Sequence, residues 1–176
     1  MTIYNLAATF RRAIEKARDA GEFRDDLTFH HFPRGCCGDT CYLLAEYFSE
    51  YGIRSFYMEM NRGDCSHAWI ALDDGNIKAP RTITYEFPEE IQTVIDGYSA
   101  GNFPLKVSNI KYELNDFSDA TIVDITADQF SDYKETVFVG QMGSFQYCFE
   151  FHNAHLIEGM DSARLDSLYH KIKQYL

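Results

Sequence analysis

Two adjacent cysteines stand between glycines in Arg34-Gly35-Cys36-Cys37-Gly38-Asp39-Thr40, where a polar loop gives way to a helical pattern. A thiol at the start of a helix meets unpaired amides and the positive end of the helix dipole, and both favour thiolate over thiol. A thiolate attacks acyl carbon, and the same free amides can hold the oxyanion its attack creates. Gly35 and Gly38 would let a substrate backbone come close. Free cysteine is also among the most buried residue types, so Cys36, Cys37 and Cys41 read equally well, on this segment alone, as small core residues.

A nucleophile needs a base. Ser66-His67-Ala68-Trp69-Ile70 sets a histidine in an apolar strand pattern, and Val123-Asp124-Ile125-Thr126 sets an acid in another. Burying such a group unpaired is costly. If the two strands are neighbours, Asp124 accepts from one ring nitrogen of His67 and leaves the other facing Cys37. Trp69 shares the sheet face of His67 by strand alternation, as a wall of the cleft or, more simply, as core. The same residue types also suggest a zinc site, with Cys37 and Cys41 one helical turn apart and Cys65 and His67 on one strand face. That pairing leaves Asp124 without a direct role. Asp119, Asp128 and His155 stand in reserve should the strand register differ.

The elements that must position these residues follow from periodicity. Ile3, Leu6, Phe10, Ile14 and Ala17 recur at helical spacing, with Thr2 as cap and Gly21 as stop. The interleaved acids favour a packed N-terminal helix over one lying on a membrane surface. Pro33 and Gly35 break residues 22–35 into a loop, and a second helix runs from about Cys36 to Tyr51. Strands are expected at 53–60 and 66–72, with Asp74-Gly75 as a hairpin turn, and again at 82–87, 120–126 and 137–139. A short helix is expected after Pro88 at 89–98, and a C-terminal helix at 161–176. Residues 141–157, rich in aromatic side chains, read as the last strands of the sheet or as the wall of a groove. Helices followed by a run of strands indicate an α+β domain with an antiparallel sheet.

Taken together, Gly35-Cys36-Cys37-Gly38-Asp39, the hydrophobic helix after it, His67-Ala68-Trp69 and Asp124-Ile125-Thr126 resemble the transglutaminase-like branch of the papain-like cysteine enzymes. That family has Gly-x-Cys-x-Asp/Glu before a hydrophobic helix, His-Ala-Trp on a strand and Asp-x-Thr on the next. The resemblance implies one domain over residues 1–176, with Cys37 as nucleophile, His67 as base and Asp124 as its orienter, and with extra N- and C-terminal helices around the core. It implies a hydrolase acting on a peptide or amide bond through a thioester. The alternatives are acyl transfer or deamidation at protein glutamine, or a non-catalytic or zinc-binding protein of the same fold. Residues 78–118 are then an insertion. Papain-like enzymes often carry an oxyanion-stabilising Gln shortly before the nucleophile. Here no Gln precedes Gln92, and His31, with Gly38, is the expected substitute near the oxyanion or substrate.

Composition narrows the partners. Hydrophobic residues make up 45% and aromatic residues 15%, which excludes a disordered chain and supplies a core. The net charge is −11, and residues 1–34 are nearly balanced, so the acidic excess lies in the remainder. Such a body repels phosphate backbones, and nucleic acid is not an expected partner. No apolar run is long enough to span a bilayer, and the N-terminus has no secretory pattern. Five cysteines without an export signal indicate reduced thiols and the cytoplasm. No metal or other cofactor is expected. The substrate is expected to be a peptide, a protein or a small amide, and the oligomeric state is open.

Overall fold

The computed structural model describes residues 1–86, 106–160 and 162–176. Helix α1 spans Ile3–Asp19, and its Thr2 cap accepts from the Asn5 amide at 3.2 Å. Leu6, Ala7, Phe10, Ala13, Ile14 and Ala17 form its buried face, the i, i+3, i+4 stripe the sequence predicts. Helix α2 spans Cys37–Ser49 and is buried on most sides through Cys41, Leu43, Leu44, Ala45, Tyr47 and Phe48. The chain passes Gly52 in the left-handed region, at φ 72°, where a residue without Cβ is needed to leave the helix. A last helix, α3, spans Ala163–Lys173.

Seven strands complete the described fold: β1 (Ser55–Arg62), β2 (Cys65–Leu72), β3 (Arg81–Glu86), β4 (Lys106–Lys111), β5 (Ile122–Asp124), β6 (Phe138–Gly140) and β7 (Glu150–Leu156). Five of them make one antiparallel sheet in the order β6-β5-β2-β1-β7, and β3 pairs with β4 in a separate antiparallel ribbon. The molecule is therefore α+β, with helices packed on an antiparallel sheet.

Each face of the sheet carries its own core. On one face Ala68, Ile70, Leu72, Val123 and Ile125 meet Phe10, Ile14, Leu44, Phe48, Leu168 and Ile172 of the helices. On the other, Met58, Met60, Trp69, Ala71 and Ile122 meet Phe117 and Phe149 from irregular segments. Full burial of a side chain the size of Phe48 contributes about 2–3 kcal/mol.

The register of β1 and β2 pairs Met58 with Trp69 and Met60 with His67, and their tight turn lies at Gly63-Asp64, with Gly63 at φ 59°. This corrects the hairpin expected at Asp74-Gly75. There the chain leaves the sheet: β2 pairs on its far side with β5, not with the strand that follows it. Asp74 instead accepts from the Thr121 hydroxyl at 3.0 Å, which ties that bend to the start of β5. The expected helix at 89–98 lies outside the described residues, as does much of the expected insertion at 78–118. Its described ends form the β3–β4 ribbon. Among the described residues no helix is long and apolar enough to cross a membrane.

Candidate active site

Cys37 is the first residue of α2, half-buried, with Cys36 in the capping position. β2 passes in front of it. The pairing of β2 with β5 has its last ladder pair at Ile70–Val123, and a little further along β2 the backbone amide of Ala68 comes up to the Cys37 thiol. That amide, the Gly38 amide in the first turn of α2 and the ring of His67 are the groups that favour its thiolate.

The antiparallel register explains why His67 meets Asp124. Ile70 faces Val123, so by continuation Asp124 lies across from Trp69 and Thr126 level with His67, all on one sheet face. His67 Nε2 lies 2.7 Å from Asp124 Oδ2, with both side chains fully buried. The other carboxylate oxygen accepts from the Thr126 amide at 2.8 Å and its hydroxyl at 3.2 Å. With Nε2 donating to Asp124, the lone pair of the neutral ring sits on Nδ1. Trp69, wholly buried, packs edge-on against His67 at 5.5 Å between ring centres, the core role that strand alternation predicts in its simpler form. Phe149 and Phe130 close the same face at 5.5 and 5.0 Å, and the Arg62 guanidinium caps both rings.

The three thiols of this region have different fates. Burial pushes Cys36 up to about 12, only partly offset by the Thr40 hydroxyl that donates to it at 3.7 Å. Burial pushes Cys41, one turn deeper in α2, well above the ordinary thiol value. Burial opposes ionisation of Cys37 too, but the hydrogen bond and charge of His67, with the Ala68 and Gly38 amides, outweigh it, and its pKa falls below the ordinary value. Burial likewise opposes protonation of His67. The charge and hydrogen bond of Asp124, followed by those of Cys37, outweigh that and push His67 up to about 9. One thiol of the three is thus placed to give up its proton, and one ring to take it.

A cleft of about 390 Å³ opens on this pair, lined by Cys37, Gly38, Asp39, Tyr57, Glu59 and Arg164 among others. A groove of similar volume, about 420 Å³, lies at the other end of α2 around Ser49, Arg54 and Glu158, but holds neither thiol nor imidazole. Volume alone would not find the site.

Two positioning devices serve the cleft. Arg164 of α3 makes a two-pronged ion pair with Asp26 at 2.8 and 2.9 Å and reaches Asp39 in the first turn of α2 at 2.8 Å. Buried Arg11 of α1 forks onto Asp128 at 2.8 and 2.9 Å and donates to the Ile125 carbonyl, fixing the segment after Asp124. That segment carries Gln129, which sequence reasoning missed. Its Nε2 lies 3.0 Å from His67 Nδ1, and its Oε1 accepts from the Gly35 amide at 3.3 Å. A polar residue shortly after Asp124, in a short turn, was the only signal available.

Cys37, His67, Asp124 and Gly38 therefore come together, with Trp69 behind the ring. His31 does not join them, which corrects its expected place near the oxyanion. The short 3₁₀ turn Phe29–His31 buries Phe29 in the core and so turns His31 outward, where its ring lies 3.5 Å from that of His30. The zinc reading also loses its ligand set. Cys65 is exposed at the hairpin, and among the described residues no three His, Cys, Asp or Glu side chains converge on a metal-sized site. The reserve residues have other partners: Asp128 the buried Arg11, Asp119 the Ser118 hydroxyl, and His155 the Tyr42 hydroxyl. No protein-family model matches the chain, and neither a curated protein nor a solved structure gives a match.

Proposed function

We propose that the chain is a cysteine-dependent hydrolase of the transglutaminase-like branch of the papain-like fold, acting on a peptide or amide bond. The observation that carries this reading is the chain of contacts Cys37–His67–Asp124 at the start of α2, with its 2.7 Å ring–carboxylate bond buried from water. His67 Nδ1 takes the Cys37 proton, the sulfur attacks the carbonyl carbon, and Asp124 holds the ring in the productive tautomer and balances its charge. The imidazolium then returns its proton to the leaving amine, and water, deprotonated by the same ring, hydrolyses the thioester. The five free thiols suit a reducing compartment such as the cytoplasm.

Alkylation with iodoacetamide across pH 4 to 9, with the modified cysteine mapped by mass spectrometry, tests this. Cys37 is expected to react rapidly at pH 6 and to slow in His67→Ala, while Cys36 and Cys41 stay inert. Uniformly slow labelling that rises only near the ordinary thiol pKa of about 8.5 would sink the reading.

A further inference from the structure

Glu59 occupies a position that a sheet of this kind ordinarily gives to an apolar side chain. It lies in β1, inside the five-stranded sheet, paired with Ala68 of β2 on one side and with Asn153 of β7 on the other. Its side chain shares the helical face with Tyr57 and Ala68. Further along this face Ile70 and Leu72 are buried under the helices, whereas Glu59 stays half-buried and lines the open cleft beside Cys37. Among the described residues its carboxylate has no hydrogen-bond or ion-pair partner. The cation that lines the same cleft, Arg164, is already shared between Asp26 and Asp39. A carboxylate here also opposes the Cys37 thiolate by like charge. Glu59 thus serves neither the core nor the nucleophile, and a partner for it has to come from whatever fills the cleft.

Tyr57, two residues earlier on the same face, adds a second acceptor. Its hydroxyl stands 3.3 Å from the place a Cβ on Gly38 would take, so it reaches the turn that carries Cys37. Its ring is held by stacking on Tyr42 at 5.4 Å and on His155 at 5.1 Å between centres. Burial, and then the charges of Cys41, Glu59 and Cys37, raise the phenol pKa, so the hydroxyl keeps its proton. Among the described residues it makes no hydrogen bond, and its oxygen is open to a donor.

We propose that Glu59, with the Tyr57 hydroxyl beside it, is the specificity site of the cleft and selects substrates that carry a primary ammonium or guanidinium group close to the bond attacked by Cys37. This rests on the cysteine-hydrolase reading and narrows its substrate class to cationic amides and peptides. Residues two apart on a strand lie about 7 Å from each other, a gap that the several N–H donors of either cation can bridge. The reach to the nucleophile is short as well. The Ala68 amide comes up to the Cys37 thiol, and Glu59 is the cross-strand partner of Ala68, about 5 Å away between Cα atoms. A cation on the reacting residue or on its neighbour therefore meets Glu59.

The surrounding charge has the same sign. Arg164 stands against two carboxylates, a thiolate at Cys37 and an imidazolium at His67 cancel, and Asp124 adds one more negative charge. The whole chain carries −11. A cationic substrate is drawn to this cleft, and an anionic one is repelled.

Methanethiosulfonates test this on the full chain. The thiolate attacks the reagent's sulfenyl sulfur, a disulfide forms and methanesulfinate leaves, so the transferred group can keep its size while its charge is varied. The 2-aminoethyl and n-propyl reagents are compared at pH 6, with reaction at Cys37 followed by mass spectrometry and each rate divided by that of free glutathione. Wild type should favour aminoethyl over propyl by about tenfold, the scale of one close charge pair in a partly solvated site. Glu59→Gln, nearly the same shape, should lose most of that preference, and Glu59→Lys should reverse it. Tyr57→Phe should lower it by about threefold, the effect of one hydrogen bond. Glu46→Gln removes the same charge at the other end of α2 and should leave the preference in place. No preference in wild type, a preference that survives Glu59→Gln, or an equal loss in Glu46→Gln overturns the proposal, the last because the general field of the chain would then be its cause. Failure of the underlying reading looks different: the neutral propyl reagent itself would react with wild-type Cys37 no faster than with an ordinary thiol, and this proposal would fall with it.

Discussion

The two faces of the five-stranded sheet are built from the same strands yet do different work. The face under the helices has an apolar centre, with Ala68, Ile70, Val123 and Ile125 against Leu44 and Phe48, and turns polar at Glu59 where it meets the cleft. The opposite face buries an imidazole and a carboxylate, His67 and Asp124, among Trp69, Phe130 and Phe149. Strand alternation puts both sets on the same residues' neighbours, so a one-residue slip would exchange them. The difference teaches where precision is spent. A helical face needs only shape and apolar surface, whereas a buried polar pair also needs every lone pair and proton matched. Asp124 meets that demand with three contacts, through Nε2 of His67 and the amide and hydroxyl of Thr126.

The largest expected effect breaks the polar face alone. Asp124→Asn keeps the size and hydrogen-bonding reach of the side chain, so the fold should survive. Its amide can donate to Nε2, which moves the ring proton to Nδ1 and leaves no base facing Cys37. Turnover should fall by about 10³–10⁴-fold and rapid alkylation at pH 6 should disappear. A variant that stays folded and keeps more than a tenth of the alkylation rate would show that His67 is not oriented through Asp124.

A matched pair of truncations sharpens the contrast. Phe48→Ala on the helical face and Phe149→Ala on the polar face each remove a buried ring, at about 3–5 kcal/mol of stability, read from urea unfolding. Per folded molecule, Phe48→Ala should leave the pH profile of Cys37 alkylation where it is. Phe149→Ala opens the wall 5.5 Å from His67. Burial is the largest influence on that ring and opposes its protonation. Easing it favours the imidazolium, so the profile should move to lower pH. Identical profiles in the two variants would mean that the aromatic wall packs against the pair without tuning it.

The same division decides what could be read in the sequence. The helical face was legible because its cause is local: Ile3, Leu6, Phe10 and Ile14 repeat at helical spacing, and Thr2 and Gly21 mark the ends. Cys37, His67 and Asp124 were legible for the opposite reason, since each is chemically out of place in an apolar or helix-start pattern. The aromatic wall was legible only as one of two readings of residues 141–157. Phe130 and Phe149 sit in irregular segments, and only tertiary packing brings them against His67, with Phe145 behind them. Gln129 was hidden in the same way, because neither period nor spacing links it to a ring in β2. His31 misled because nearness to Cys37 along the chain was taken for nearness in space, and the burial of Phe29 settled the direction of that turn.

The smallest effect tests whether the helical side is as indifferent to chemistry as this division implies. Arg164 joins α3 to Asp26 and to Asp39 near Cys37, but its side chain is 43% exposed, so solvent screens the pair. Arg164→Met should cost about 0.5–1 kcal/mol at neutral pH and change the Cys37 alkylation rate by less than about threefold. The Arg164 hydrogen bond, against the opposing effect of burial and with help from the Phe29 and Thr28 amides, lowers the Asp26 carboxyl to about 2. A depressed carboxyl contributes stability above its unfolded pKa, about 3.9, and loses it as pH falls through the folded value. The stability gap between wild type and Arg164→Met should therefore be constant above about pH 4 and close toward pH 2. In the variant, the Thr28 and Phe29 amides still hold Asp26, so the gap is a fraction of the whole acid effect. If the alkylation midpoint instead moved with Arg164, this residue of the cleft wall would be tuning Cys37 and not only tying α3 to the start of α2.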